Sequence, residues 1–184
     1  KGARIAAEGL VGLAMAADQR SGALVDVNCE TDFVARNPDF ISLTNDLAQL
    51  ALKAAPADLE ALLATAWRDG KKVKDVLAES VAKIGENITL RRFAHYAVKG
   101  SGTLGGYLHG NGRLGVLVEL GCSTDVAAGH AEVQALSRDL AMQVAAMKAP
   151  YLSREQVPAE TLEKEKEIYK AELAAAKKPE AIWD

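Results

Sequence analysis

The chain has 184 residues, 49% of them hydrophobic and 26% charged, with a formal net charge of -3. That balance is ordinary for a globular protein, and it excludes a disordered chain or a strongly basic nucleic-acid binder as the default. No apolar run reaches the ~18–20 residues that a membrane-spanning helix needs. Aromatics, at 5%, are scarce enough that each one outside a core calls for a reason.

The opening, Lys1-Gly2-Ala3-Arg4, carries neither an initiator Met nor an apolar targeting segment, so the cytoplasm is the expected location. Residues 4–17 read as a helix with Ile5, Leu10, Leu13 and Ala17 turned inward. A strand follows over residues 23–29, with Val25, Val27 and Cys29 on one face. Thr31 and Asp32 are N-cap candidates for a short turn, and a longer helix runs from about Asp39 to Pro56 with Phe40, Leu43, Leu47, Leu50, Ala51 and Ala54 as its stripe. Residues 58–66 look helical. Val73, Val76, Leu77, Val81 and Ile84 recur at helical steps up to Gly85, a C-cap candidate.

Residues 88–98 form the next strand, its alternation broken at Arg91 and Arg92. Residues 104–109 and 114–122 flank an Asn111-Gly112 turn, which predicts three strands in antiparallel succession from 88 to 122. Thr124 and Asp125 cap again, and Val133, Leu136, Leu140, Val144 and Met147 mark a helix that Pro150 ends. Residues 158–176 are rich in Glu and Lys, with Leu162, Tyr169, Leu173 and Ala176 as a modest stripe. Glu160 with Lys164, and Lys166 with Lys170, stand at the four-residue spacing where helical side chains meet. A further helix start is read at Pro179.

The chain also repeats itself. Shifted by 93 residues, Arg20 to Ala51 lies over Arg113 to Val144 without a gap, and 12 of the 32 pairs are identical. Leu24, Val25, Cys29, Thr31 and Asp32 fall on Leu117, Val118, Cys122, Thr124 and Asp125. The repeat implies an α+β fold of two related subdomains, each with helices packed on a small antiparallel sheet. The expected divisions are 1–98, 99–158 and a charged tail over 159–184.

Covalent chemistry is hard to place. His95, His109 and His130 lack metal-ligand spacing, and HExxH, CxxC and GxSxG patterns are absent. The glycines from Gly100 to Gly112 lack the lysine and hydroxyl of a phosphate loop and suit turns and close strand approach instead. Cys29 reads as a buried structural thiol. No cofactor and no metal are expected.

One stretch exceeds a structural account: Asn28-Cys29-Glu30-Thr31-Asp32-Phe33-Val34-Ala35-Arg36-Asn37. Where the first copy has Glu30 and Phe33, the second has Ser123 and Val126. Phe33 is either a larger core plug or the tip of a protruding Asp-Phe wedge, an interface hot spot.

This stretch resembles the hallmark motif of bacterial elongation factor Ts, the nucleotide exchange factor for elongation factor Tu. The resemblance continues through Lys83-Ile84-Gly85-Glu86-Asn87-Ile88, Arg91-Arg92-Phe93, Gly106-Tyr107-Leu108-His109, Ala141-Met142-Gln143 and Pro150-Tyr151-Leu152. It implies the family's core without the N-terminal ubiquitin-associated-like domain, without the C-terminal end and without a long insertion after Tyr151. It further implies a protein that acts by binding, not by making or breaking bonds. Asp32 and Phe33 would enter the partner, elongation factor Tu, near its magnesium site and loosen GDP. Thr31, Arg36 and Asn37 are counted with them as partner-binding residues, with bracing of the corner as the alternative for Arg36 and Asn37, and Ile84 and Gly85 would support the same contact from a neighbouring helix end. His109 and the Met142 helix would bind elsewhere on the same partner. Neither direct nucleic-acid nor membrane contact is expected, and a homodimer or a two-plus-two complex is admitted. The competing reading is a non-catalytic structural dimerisation or protein-binding module.

Overall fold

A computed structural model describes residues 6–176. Strands β1 (Glu8–Met15), β2 (Ser21–Cys29) and β3 (Thr89–Ala97) form one antiparallel sheet in the order β1-β2-β3, and β4 (Gly102–His109) pairs with β5 (Leu114–Gly121) in a second. Helices α1 (Asp32–Ala35), α2 (Pro38–Ala54), α3 (Leu59–Ala64) and α4 (Val73–Ile84) lie between β2 and β3 in the chain. After β5 come α5 (Asp125–Ala128) and α6 (Ala131–Met147), then α7 (Ala159–Ala175). The fold is α+β with two small antiparallel sheets. Among the described residues, no helix is long and apolar enough to cross a membrane.

The opening helix expected over 4–17 is not there: its described part is strand β1, and Arg4 and Ile5 lie outside the described residues. Its alanines favour a helix locally, but the paired partner and the helix above override them. Gly12 is the telling position. A Cβ there would lie 2.7 Å from the carbonyl oxygen of Thr44 on α2, so only glycine lets helix and strand approach so closely. The same contact recurs 93 residues on. A Cβ at Gly105 would fall 2.0 Å from the carbonyl oxygen of Ser137 on α6.

The registers match as well, since Val11 faces Asp26 in the first hairpin and Leu104 faces Glu119 in the second. The repeated unit is therefore hairpin, short helix, long helix, and it begins earlier in the chain than Arg20.

The three expected strands from 88 to 122 do exist, but not as one succession. β3 pairs back to β2, across the intervening helices, while β4 and β5 make their own hairpin. The backbone turns between the sheets at Gly100, with φ +89°. The break at Arg91 and Arg92 is a β-bulge: Val27 faces Leu90 and Asp26 faces Arg92, which leaves Arg91 as the extra residue. Arg92 Nε then donates to Asp26 Oδ2 at 2.8 Å.

The main core lies where α2 and its neighbours cover the first sheet. Val25, Val27, Cys29, Phe40, Leu47, Ala48, Ala51, Leu62 and Val73 are wholly enclosed. Fully burying a side chain of Val, Leu or Phe size contributes about 1.5–3 kcal/mol, so this cluster outweighs any surface ion pair in the molecule. Leu50 is half-buried and Ala54 is exposed, which narrows the expected α2 stripe.

Helix α6 differs more from its expected stripe. Ser137, Ala141 and Ala145 are its buried residues, while Leu136 and Met147 are exposed. Small residues face the sheet because the approach at Gly105 leaves no room for larger ones.

Residues up to Met147 form one compact unit, and those from Lys148 on form a second. In the second unit no residue of α7 is buried, and Leu162 and Tyr169 of its expected stripe are exposed. Lys164 does pair with Glu160, at 2.8 Å, but Lys166 pairs with Glu163 at 2.9 Å. Two like-charged lysines have no pairing to make, so the spacing of Lys166 and Lys170 carries none. The helix start read at Pro179 lies outside the described residues.

Candidate functional site

Strand β2 ends at Cys29, fully enclosed, and the chain turns sharply outward. Thr31 is the N-cap of α1: its Oγ1 accepts from Val34 N at 3.3 Å. Beneath, the Cys29 Sγ–H donates to the Thr31 carbonyl at 3.2 Å. Burial first, and the Glu86 carboxylate second, push the Cys29 thiol up to about 11. The thiol is thus a neutral anchor, not a nucleophile.

Above this anchor Ala35 turns inward and Phe33 turns out, with 80% of its surface exposed. Of the two readings of Phe33, the plug is excluded and the protrusion stands. Asp32 beside it forms an ion pair with Arg36 across one turn, at 3.0 Å. Asn37 caps the next helix, accepting from Asp39 N at 2.8 Å, and Pro38 occupies its first turn. Thr31, Asp32, Phe33, Arg36 and Asn37 therefore make up one corner between β2 and α2.

Ile84 and Gly85 end α4, and the residues that follow them, Glu86 and Asn87, reach that corner. Ile84 packs against the core, and Gly85 closes the helix in the left-handed region with φ +84°, its N–H donating to the Val81 carbonyl at 2.8 Å. The link between the two segments is Glu86. Its Oε2 accepts from Glu30 N at 3.1 Å and Thr31 N at 3.0 Å, while its Oε1 accepts from Thr31 Oγ1 at 2.6 Å. Glu30 answers in kind, Oε1 accepting from Asn87 N at 2.9 Å. Lys83 adds an ion pair with Asp39 at 2.5 Å. Sequence reasoning missed the role of Glu86. The signal was there, because Glu30 and Glu86 each stand in a matched motif, but nothing in the spacing told that they face each other.

His109 and Met142 belong to elements of the second copy. His109 ends β4, where its Nδ1 lies 3.1 Å from Tyr107 Oη, and Met142 sits 37% exposed on α6. None of the hydrogen bonds and ion pairs given above for the Phe33 corner involves either residue. The second copy does repeat the corner in outline. Thr124 caps α5, accepting from Ala127 N at 3.1 Å, and Val126 is 85% exposed at the position of Phe33. Asp125 there pairs with Arg20 at 3.4 Å. Among the described residues, no group of three or more His, Cys, Asp or Glu side chains could hold a metal ion.

The family model described as Elongation factor TS matches residues 30–184. Elongation factor Ts of Symbiobacterium thermophilum is 48% identical over 181 residues, covering 98% of this chain and 57% of the relative. Elongation factor Ts of Clostridium perfringens is 42% identical over 184 residues, covering 100% of this chain and 59% of the relative. That of Clostridium botulinum is 41% identical over 182 residues, covering 99% and 58%. The chain thus spans somewhat under two thirds of the length of these relatives. With the family model spanning residues 30–184, the Phe33 corner included, and similarity along nearly its whole length, the chain belongs to the elongation factor Ts family.

Proposed function

We propose that this chain serves in translation elongation as the core of a guanine nucleotide exchange factor, binding elongation factor Tu in its GDP state and promoting GDP release. The observation that carries this is Phe33, held out from a braced corner in a chain with few aromatics. Asp32 and Phe33 enter the partner near its magnesium site, and Phe33 wedges among the side chains of the adjoining switch-region helix. Moving that helix disturbs the magnesium network and loosens GDP, with no bond made or broken. Thr31, Arg36 and Asn37 hold the corner, Ile84 and Gly85 support the same contact, and His109 and Met142 bind a separate part of the partner.

The energetics are adequate. Enclosing a phenylalanine side chain contributes about 1.5–3 kcal/mol before the costs of association. Coupling of that size, at about 1.4 kcal/mol per factor of ten, corresponds to roughly a ten- to hundredfold loosening of nucleotide. Linkage makes the effect reciprocal, since a factor that favours the nucleotide-free partner must weaken GDP by the same ratio.

The test is release of a fluorescent GDP analogue from elongation factor Tu, chased with excess unlabelled GDP. The whole protein accelerates release in a saturable way, and added GDP weakens the protein complex by the matching factor. Release at the spontaneous rate by a folded protein contradicts the proposal and leaves the structural dimerisation module in its place.

A further inference from the structure

We infer that Glu86 is a positioning residue for exchange: its carboxylate clamps the Phe33 corner onto the end of α4, so that Asp32-Phe33 and Ile84-Gly85 meet the partner as one rigid surface. The inference rests on the function proposed above.

Helix α1 has only four residues, too few to hold its own geometry, because the first helical turn is costly to nucleate. Its orientation must come from outside. A single carboxylate accepts three charge-assisted hydrogen bonds from the turn that precedes the helix, from Glu30 N, Thr31 N and Thr31 Oγ1. The third is the important one. Thr31 Oγ1 donates to Glu86 at 2.6 Å and accepts from Val34 N at 3.3 Å, so one hydroxyl joins the carboxylate to the helix that carries Phe33. The return bond from Asn87 N to Glu30 Oε1 closes the clamp from the other side.

The second copy serves as an internal control. Helix α5 folds to the same four-residue length with the same threonine cap. Yet Ser123 replaces Glu30 there, and among the described residues no carboxylate accepts from the Ser123 or Thr124 amides. The short helix therefore forms without the clamp. The clamp is present where the large aromatic protrudes, and what it adds is orientation.

The experiment uses the whole protein as parent, Glu86→Gln and Glu86→Ala, each with Phe33 and with Phe33→Ala. The readouts are release of the fluorescent GDP analogue and amide hydrogen exchange of the free protein. Glu86→Ala is expected to slow release by about ten- to a hundredfold, the usual cost of a misplaced contact group. Glu86→Gln, which keeps one acceptor oxygen, falls between it and the parent. In the Phe33→Ala background the same substitutions change release little, because the wedge they position is gone. In hydrogen exchange, Thr31 and Val34 lose protection in Glu86→Ala while Val25 and Val27 keep theirs.

Equal losses in both backgrounds overturn the inference, as does parental release by Glu86→Ala. Should Glu86→Ala fail to fold, the Glu86→Gln cycle decides in the same way. A parent without exchange activity defeats the proposed function itself, and hydrogen exchange then judges the clamp alone: unchanged protection at Thr31 and Val34 overturns it.

Discussion

At the scale of single residues, exposure and enclosure stand four positions apart, in Phe33 and Cys29. An exposed phenylalanine adds little to the stability of the free chain, so Phe33→Ala should leave the unfolding free energy within about 0.5 kcal/mol of the parent by denaturant titration. Cys29 behaves oppositely. With its ionisation pushed up to about 11, it should react with a thiol reagent at pH 8 about a hundredfold more slowly than an ordinary thiol. The sign of the pH effect follows. The unfolded thiol ionises near 9.0 and the folded one near 11, so the unfolded state sheds its proton first as pH rises. Stability from this group is intact below pH 9 and is lost between 9 and 11, a loss that Cys29→Ser should abolish in the pH dependence of unfolding.

At the scale of elements, the close approaches at Gly12 and Gly105 set where the two long helices lie on their sheets. A methyl group at Gly105 would meet backbone, not a movable side chain, so Gly105→Ala should destabilise by at least about 1–3 kcal/mol in denaturant unfolding. Gly129→Ala is the control, since its nearest atoms stand 3.5 Å away.

These glycines also explain what the sequence hid. Helix α4 and its Gly85 cap were legible because their signals are local: a 3.6-residue period and a residue suited to positive φ. Strand β2, the Asn111-Gly112 turn and the Thr31 and Thr124 caps were legible for the same reason. Strand β1 was not, because the alanines on either side of it, Ala6, Ala7, Ala16 and Ala17, favour helix until a partner strand and an overlying helix are supplied. The stripe of α6 was misjudged on similar grounds. Close packing selects Ser137, Ala141 and Ala145, which hydrophobicity alone ranks below Leu136 and Met147. The protrusion of Phe33 was one of two readings, settled only by seeing Ala35 and Cys29 take the inward positions. Glu86 was out of reach because its partners lie 55 and 56 residues away.

At the scale of the whole molecule, one duplicated unit occurs in two forms. Both copies keep the hairpin, the threonine cap and the glycine beneath the long helix, while the aromatic tip and the carboxylate clamp belong to the first. The unit up to Met147 holds the enclosed core, whereas α7 in the second unit has no buried residue. Amides of α7 should therefore exchange with solvent well before those of α2 and β2 in a hydrogen-exchange time course. The proposed exchange activity turns on Phe33. The most direct measurement compares the whole protein and its Phe33→Ala variant, at saturating concentration, in releasing a fluorescent GDP analogue from elongation factor Tu. The account predicts at least about a tenfold slower release by a variant that unfolds at the parental midpoint. Parental release by Phe33→Ala would contradict it.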